Sequence, residues 1–405
     1  MTELPLILRN KNFLLVWLGQ VLSQSGTRMY QIVILWWILN HVSPEESGTK
    51  TAIFLMVCAL PSILFMKVIG KIIDRHKSKH LLVAAETAAS CVIALVGYLM
   101  YTDQLTVNIL YASGFVTACL QGFVDPTLPK SVPELVAEKD VEKAVAFETS
   151  TQSLASFAGA VFGAMLVGTL GYIGCVALNV LSYLLSAGFT SQARFATLDP
   201  SPQTTDSSNQ SGWAILDSLP FIKKILFVFA AANFFINPLF LALPIYTKNR
   251  LNGSASDLAS FEASLWLGLI AGAFASEKIP IKWSLISIAS VCIATVSACL
   301  AIQGVLASTL IFSVALFLSG LAMGINNVKF VTLFQRSVPD EVKGRFFSVM
   351  QALLTFTFPI SFLIFGIMID RFNIQTIFLV QGAGLLALAG YLFLSRPAAE
   401  IPRPA

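Results

Sequence analysis

The sequence predicts an all-α polytopic membrane protein with twelve transmembrane helices, arranged as two six-helix bundles. Three observations predict this fold class. First, 56% of the 405 residues are hydrophobic and only 12% are charged, about half the charged fraction of a typical soluble domain. Second, apolar stretches of about 20 residues recur along the chain, and each is long enough to cross a bilayer as a helix. Third, a polar segment divides these stretches into two equal sets.

The apolar stretches show no alternation with a period of two residues, so helices rather than a closed barrel must satisfy the backbone hydrogen bonds in hydrocarbon. The predicted spans cover residues 12–40, 50–73, 80–101, 107–130, 141–168, 171–191, 221–247, 258–276, 283–303, 306–335, 343–369 and 374–395. The first apolar run is longer than a cleavable signal peptide and continues as the first span.

The distribution of basic residues predicts the orientation of these spans. With the N-terminus inside, 20 of the 26 Lys and Arg residues lie at the cytoplasmic ends and loops. Four lie on the opposite side, and Arg28 and Lys329 lie within spans. Because cytoplasmic loops carry the excess of positive charge, we expect both termini in the cytoplasm.

A polar segment, ATLDPSPQTTDSSNQSG at 196–212, separates six spans from six, and its composition is typical of a flexible linker. We therefore predict an N-terminal bundle at 1–191, a cytoplasmic linker at 192–220 and a C-terminal bundle at 221–405. SVPE at 131–134 and SVPD at 337–340 follow the fourth and tenth spans. This echo indicates a duplicated architecture, in which a solute site lies near the midplane between the halves.

Charged and amide side chains within the spans of the first half predict a polar cavity. A charge near the bilayer midplane costs several kcal/mol unless it faces water or a partner. Arg28 forms a stripe with Gln24 and Gln31, four residues before it and three after it. The acidic groups that could complement it are Asp125 with Gln121 on the fourth span, Glu148 with Gln152 on the fifth, and Glu86 on the third.

The second half carries fewer such groups: Asn233 and Asn237 on the seventh span, and Asn326, Asn327 and Lys329 on the tenth. In one interpretation these residues and those of the first half bind a solute and a proton. In the other, Arg28 forms a structural ion pair with one of the acids. Glu86 lies near the cytoplasmic end, where we expect it to brace the basic loop after the second span.

Aromatic residues are further candidates for lining a pocket for a bulky ligand: Tyr30, Trp36, Trp37 and Trp266. Trp36 and Trp37 lie near the outer end of the first span, where an interfacial aromatic belt is the favoured interpretation.

The loop GKIIDRHKSK at 70–79 resembles the motif G-x-x-x-D-R-x-G-R-R of the major facilitator superfamily. Gly70, Asp74, Arg75 and Lys79 match this motif, whereas Lys77 and Ser78 depart from it. VPELV at 132–136, LNVLSYLLSA at 178–187 and VPDEVKGRFFSV at 338–349 resemble the bacterial branch that contains macrolide-efflux and siderophore-export proteins.

This resemblance implies the major facilitator fold and a secondary exporter in the bacterial inner membrane, working by alternating access and driven by a proton gradient. It implies a gating role for the matched loop residues, with Asp74 meeting the helix terminus near Arg345 to hold the cytoplasmic side shut. Arg28 and Lys329 favour an anionic or amphipathic solute, such as a siderophore or a drug that bears an acid.

The resemblance also implies that glycine pairs of the fifth and eighth spans, Gly159/Gly163 and Gly268/Gly272, face each other across the halves. A further pair, Gly320/Gly324, lies on the tenth span. Ala160 replaces the proline usual in the antiporter pattern of the fifth span, which weakens the inference of antiport.

Enzymatic motifs are absent from the sequence: it contains no nucleotide-binding G-x-x-x-x-G-K-[ST], no H-E-x-x-H, no G-x-S-x-G and no C-x-x-C. We expect no enzymatic activity, no cofactor, no metal site and no nucleic-acid partner, and we expect a monomer in the lipid bilayer. The alternatives are an importer or lysophospholipid flippase of the same fold, and a membrane sensor that does not transport.

Overall fold

The computed structural model describes residues 9–196, 216–279 and 285–394. These ranges contain helices and no strand. In chain order the helices are α1 Lys11–His41, α2 Ser47–Leu64, α3 Met66–Arg75, α4 Ser78–Tyr101, α5 Val107–Leu135, α6 Val141–Gln192, α7 Pro220–Ile236, α8 Pro238–Asn249, α9 Ala255–Lys278, α10 Leu285–Val305, α11 Thr309–Ser337, α12 Asp340–Arg371 and α13 Ile374–Leu394. A single 3₁₀ turn, Glu138–Asp140, precedes α6.

These helices form the predicted twelve spans. By length and hydropathy, ten helices of the described ranges qualify as membrane spans. The other two are α1, which carries Arg28, and the first arm of α6, residues 141–170. The arms of α6 meet at Gly171, whose φ of 66° lies in the left-handed region that favours glycine. The second span consists of α2 and α3, and the seventh of α7 and α8.

The Cα positions divide the chain into two compact units. The N-terminal unit holds α1–α6 together with residues 254–259, and the C-terminal unit holds the other helical residues from α7 onward. Residues 197–215 of the predicted linker lie outside the described residues, so its boundaries stay a prediction.

In the N-terminal unit, α1 packs between the two arms of α6. Gly159 and Gly163 on the first arm lie against the α1 backbone, where an added Cβ would come within 2.8 Å of Arg28 Cβ and Met29 Cα respectively. On the second arm, Ser186 approaches Gly19 of α1 in the same way. The small residues therefore allow close helix contact inside one unit.

In the C-terminal unit, glycines of α9 and α11 pack reciprocally. A Cβ added at Gly268 or Gly272 would overlap main-chain carbonyl oxygens of α11, and one added at Gly320 or Gly324 would overlap those of α9. The expectation that the glycine pairs of the fifth and eighth spans face each other is thus wrong. Each pair serves the packing of its own unit.

At the break between α7 and α8, side chains of neighbouring helices donate hydrogen bonds to the carbonyl oxygens that the break leaves without a partner. Pro238 has no N–H, so the carbonyl oxygen of Phe234 has no donor four residues later. Ser361 Oγ of α12 donates to this oxygen at 2.6 Å. Gln381 Nε2 of α13 donates to the next carbonyl, that of Phe235, at 2.9 Å. The kinked span is therefore fixed by two hydrogen bonds from polar side chains that would otherwise be costly to bury.

An aromatic cluster lies in the core of the C-terminal unit. The Tyr246 ring lies 4.7 Å from that of Phe312 and 5.1 Å from that of Phe378, and Phe261 meets Phe312 edge-on at 4.6 Å. The Tyr246 hydroxyl donates to the carbonyl oxygen of Gln303 at 3.1 Å. The rings supply the apolar contact, and the single hydroxyl is paired as burial requires.

Candidate functional site

A buried carboxyl group, Glu86, joins three helices of the N-terminal unit. Its side chain on α4 accepts a hydrogen bond from Gln20 Nε2 of α1 at 2.9 Å and from Ser186 Oγ of α6 at 2.6 Å. Glu86 is 0% exposed. The interpretation that Glu86 braces the basic loop is therefore wrong: the side chain points into the helix bundle.

A second polar contact lies one to two turns further along α1. The hydroxyl oxygens of Thr27 and Tyr183 are 2.7 Å apart. Since Thr27 donates its own proton to the carbonyl oxygen of Ser23 at 2.8 Å, Tyr183 is the donor to Thr27. Tyr183 also lies within electrostatic range of Glu86 and of Asp125. Tyr183 therefore lies near both the buried carboxyl group and the acidic part of the site.

Asp125 and Glu148 form the acidic part of the site. Gln121 Nε2 donates to Asp125 Oδ1 at 2.6 Å, as expected for residues four apart on one helix face. Asp125 on α5 and Glu148 on α6 lie close enough for their charges to repel each other. Asp125 is exposed and Glu148 is half-exposed as whole residues, so neither is enclosed in the packed core as Glu86 is.

Arg28 lies further along α1, as the sequence predicts, with Gln31 beside it. Its Nη1 donates to Gln31 Oε1 at 2.8 Å, and Gln24 on the same helix is half-buried. Arg28 packs at the level of Gly159, which is eleven residues, or roughly 16 Å of helix, beyond Glu148. Arg28 and Glu148 therefore belong to different levels of the site, and a direct ion pair between them would need a large rearrangement.

Two further predicted residues of the N-terminal unit are Tyr30 and Gln152. Tyr30 is 5% exposed and lies beside Ser113 and Cys58, so it belongs to the packed core. The side chain of Gln152 lies outside the described residues. Trp36 and Trp37 are 8% and 6% exposed, so the prediction of an interfacial aromatic belt at these positions is wrong.

The loop motif divides into exposed and anchored residues. Asp74 and Arg75 are exposed, and an added Cβ at Gly70 would meet nothing within 4 Å. Lys79 is anchored: its Nζ donates to the carbonyl oxygen of Ala193 at 2.9 Å and so caps the end of α6. The Arg345 side chain lies outside the described residues, and the predicted contact of Asp74 with it stays a prediction.

The segment after α5 holds the same loop in place. Glu134, in the first SVPE segment, accepts a hydrogen bond from Ser78 Oγ at the start of α4, at 2.7 Å. Lys130 Nζ donates to the carbonyl oxygens of Ile73 and His76 at the end of α3. Both side chains tie the exposed motif to the N-terminal unit.

The predicted residues of the C-terminal unit do not form one cluster through their described hydrogen bonds. Asn233 Nδ2 donates to the carbonyl oxygen of Phe229 on its own helix at 2.9 Å. Asn237, 3% exposed, lies at the helix break, and Asn326 is 8% exposed. Lys329 Nζ donates to the carbonyl oxygen of Ile279 at 3.4 Å. This cation therefore lies at the end of α9.

Glu262 is a buried acid that the sequence analysis missed. It is 4% exposed on α9, and its Oε2 accepts a hydrogen bond from Trp266 Nε1 at 3.2 Å. The available signal was a carboxyl group inside a predicted span, four residues before a tryptophan. A charged side chain within a span is a candidate functional residue, and this criterion selects Glu262 as it selects Arg28.

The geometry therefore brings together a polar track on the N-terminal unit, which we define as Gln20, Thr27, Arg28, Gln31, Glu86, Gln121, Asp125, Glu148 and Tyr183. This track offers two partly exposed acids, one buried acid and one cation, each with neutral polar groups along the same helices. Within the described ranges no group of three or more His, Cys, Asp or Glu side chains could hold a metal ion. Its chemistry suits proton exchange and the binding of a polar solute.

Comparison with known proteins adds a family and a fold. The model of the Major Facilitator Superfamily matches residues 16–357. Macrolide efflux protein A of Streptococcus pyogenes is 24% identical over 393 residues, 93% of this chain and 94% of that protein. Macrolide efflux protein A of Enterococcus faecalis is 25% identical over 316 residues, 75% of this chain and 95% of that protein.

Among solved structures, the fold is similar to that of a bacterial homologue of the iron transporter ferroportin in its inward-facing state. The TM-score is 0.74 at 15% sequence identity, over 96% of this chain and 99% of that chain. This likeness confirms the predicted architecture of twelve membrane helices.

Proposed function

The chain belongs to the major facilitator superfamily and is a multi-pass membrane transporter of a small molecule, and from this premise we propose that it is a proton-coupled exporter. Its cargo in this proposal is a small amphipathic or anionic molecule, a siderophore or an acidic drug, moved by alternating access across the inner membrane. The two efflux proteins that it resembles, at 24% and 25% identity, support the outward direction.

The observation that carries the proposal is the proximity of Asp125 and Glu148. Two neighbouring carboxylates repel each other, so a proton on one relieves the repulsion felt by the other. Both residues keep exposed surface, which supports a role in proton exchange. In this proposal the pair lies on the solute path and takes up the proton when the solute is released.

Arg28 supplies the counter-charge for an anionic solute. It lies roughly three helical turns beyond the level of Glu148, so a solute carboxylate bound at Arg28 and a proton held by the acidic pair occupy separate places. An arginine presents several donors in a fixed fork, which matches a carboxylate. Arg28→Lys should therefore retain part of the affinity, whereas Arg28→Ala should lose it for acidic solutes only.

The test uses the full chain in proteoliposomes with an imposed pH gradient. A panel of siderophores and macrolides is first screened for transport, in vesicles of both orientations so that direction is read separately. For a transported solute, Asp125→Asn and Glu148→Gln should abolish proton movement while solute exchange at equal pH continues. Asp103→Asn is the matched control, because it neutralises an acid at a turn residue whose φ of 54° asparagine also accepts.

Three results would count against the proposal. Proton movement that persists in both acid variants removes the pair from the coupling mechanism. Solute that moves in the same direction as the proton, instead of against it, indicates an importer. Equal losses for acidic and neutral solutes in Arg28→Ala show that Arg28 is structural.

A further inference from the structure

A groove on the surface of the C-terminal unit is lined by none of the residues of the polar track. It has a volume of about 470 Å³ and runs between α7 and α13, where Lys223, Lys224, Phe227, Ala231, Leu388 and Tyr391 line it. Its residues on α7 recur at the spacing of one helix face, and Leu388 and Tyr391 lie one turn apart on α13. The groove is therefore a continuous strip along two neighbouring helices.

The groove is charged at one end and apolar along the rest. Its two lysines are the fourth and fifth residues of α7, close to Pro220, where the membrane span begins. Ala231 lies eleven residues after Pro220, or about 16 Å further along the helix. Phe227, 44% exposed, and Tyr391, 50% exposed, present their rings at the surface. Cations at the membrane boundary followed by an apolar trough match the head and the chain of a lipid.

The charges at the basic end favour an anion. Lys224 Nζ lies 4.9 Å from the centre of the Tyr391 ring. In the described ranges this lysine thus contacts an aromatic face rather than a carboxylate. Lys223 is paired with Asp217 at 2.6 Å. The first turn of α7 contains no acidic residue, so the positive end of its dipole adds to the lysines.

From this arrangement we propose that the groove between α7 and α13 binds an anionic phospholipid. Lys223 and Lys224 hold the phosphate, the Tyr391 hydroxyl donates to it, and one acyl chain lies along Phe227, Ala231 and Leu388. Asp217 competes with the phosphate for Lys223. This site is independent of the transported solute.

Native mass spectrometry of the purified full-length protein tests the site with defined lipids. Dioleoyl phosphatidylglycerol, dioleoyl phosphatidylcholine and inorganic phosphate are the three probes. We expect the anionic lipid to bind more tightly than the zwitterionic one, and phosphate to compete with neither. Lys223→Gln with Lys224→Gln should weaken binding of the anionic lipid about 25-fold, since each basic side chain near an anionic surface contributes about fivefold.

Companion variants separate this site from general surface charge. Asp217→Asn should strengthen binding of the anionic lipid, and Lys224→Arg should preserve it. Ala231→Phe should weaken binding of both lipids by filling the trough. Lys278→Gln, which removes an exposed charge at the end of α9, should have no effect. Thermal melting and size-exclusion profiles equal to those of the parent chain exclude misfolding.

The proposal is overturned if the two lipids bind equally to the parent chain, or if the double lysine variant retains its affinity. Competition by inorganic phosphate at the same concentration would identify an ion site instead of a lipid site. An equal loss in Lys278→Gln would assign the effect to net charge.

Discussion

The two units of the molecule use different interactions to join their helices. In the N-terminal unit, polar side chains contact each other across helices, as in Gln20 with Glu86 and Thr27 with Tyr183. In the C-terminal unit, rings contact rings, and polar side chains such as Ser361 reach main-chain carbonyl oxygens instead.

This difference separates groups that change charge from groups that only hold shape. A carboxyl group linked to amides and hydroxyls changes its contacts when its protonation changes. A hydrogen bond from serine to a main-chain carbonyl has no such dependence at physiological pH, and an aromatic cluster has none. The N-terminal unit is therefore suited to respond to protons, and the aromatic core of the C-terminal unit to supply rigidity.

The largest effect is expected from a substitution in the close contact between α9 and α11 of the C-terminal unit. Gly320→Leu would drive a side chain into the carbonyl oxygen of Leu265, and the helices cannot separate without losing the reciprocal contacts. We expect loss of monodisperse protein on size-exclusion chromatography. Gly390→Leu is the control, since an added Cβ there meets nothing within 4 Å. A monodisperse Gly320→Leu protein would show that this contact is adaptable.

The next largest effect is expected when one ring of the aromatic cluster is removed. Phe312, 1% exposed, contacts three other rings, and Phe312→Ala should lower the free energy of unfolding by about 3–5 kcal/mol. Phe274→Ala, at a position 70% exposed, should change it by less than about 0.5 kcal/mol. Denaturant titration in detergent measures both. Similar values for the two variants would mean that the cluster does not stabilise the unit.

The sequence predicts the number of spans well because a long, mostly apolar run of helical length marks each one, even where a single charge such as Arg28 interrupts it. It predicts breaks within spans less well. The second predicted span, 50–73, consists of two helices that meet at Phe65, and the seventh is divided at Pro238. An apolar run records only that hydrocarbon is acceptable along its length, whereas a break depends on donors such as Ser361 from distant helices.

The candidate site was predictable to the extent that charges within spans are informative. Arg28 with Gln31 and Asp125 with Gln121 are neighbours on one helix, so spacing alone pairs them. The surroundings of Glu86 were not predictable, because its partner Ser186 lies 100 residues away. Distance from a helix end says nothing about which neighbour covers a given face.

A smaller effect tests the polar character of the N-terminal unit at Glu86. Glu86→Leu leaves the donors of Gln20 and Ser186 without an acceptor and should cost about 1–3 kcal/mol of unfolding free energy. Glu86→Gln keeps a carbonyl oxygen for them and should cost less than about 1 kcal/mol. Its new amide could also donate to Gln20 Oε1, which has no hydrogen-bond partner in the described ranges.

Thermal and denaturant unfolding of both Glu86 variants provide the measurement. If leucine proves as stable as glutamine at this position, the hydrogen bonds to Glu86 add nothing to packing, and the contrast between the units is lost at this residue.

The smallest effect measures one polar contact between helices directly. A double-mutant cycle of Thr27→Val and Tyr183→Phe isolates their hydrogen bond, for which we expect a coupling energy of about 0.5–1.5 kcal/mol. Thr27→Val alone should be the costlier single change, because it leaves the hydroxyl of Tyr183, 4% exposed, without its acceptor. Thr295→Val in the C-terminal unit is the matched control: its hydroxyl donates to the carbonyl oxygen of Val291, four residues earlier, at 2.9 Å, as Thr27 does to Ser23. If Thr295→Val costs as much as Thr27→Val, the loss comes from the hydroxyl on its own helix, and the contact between helices carries no stability of its own.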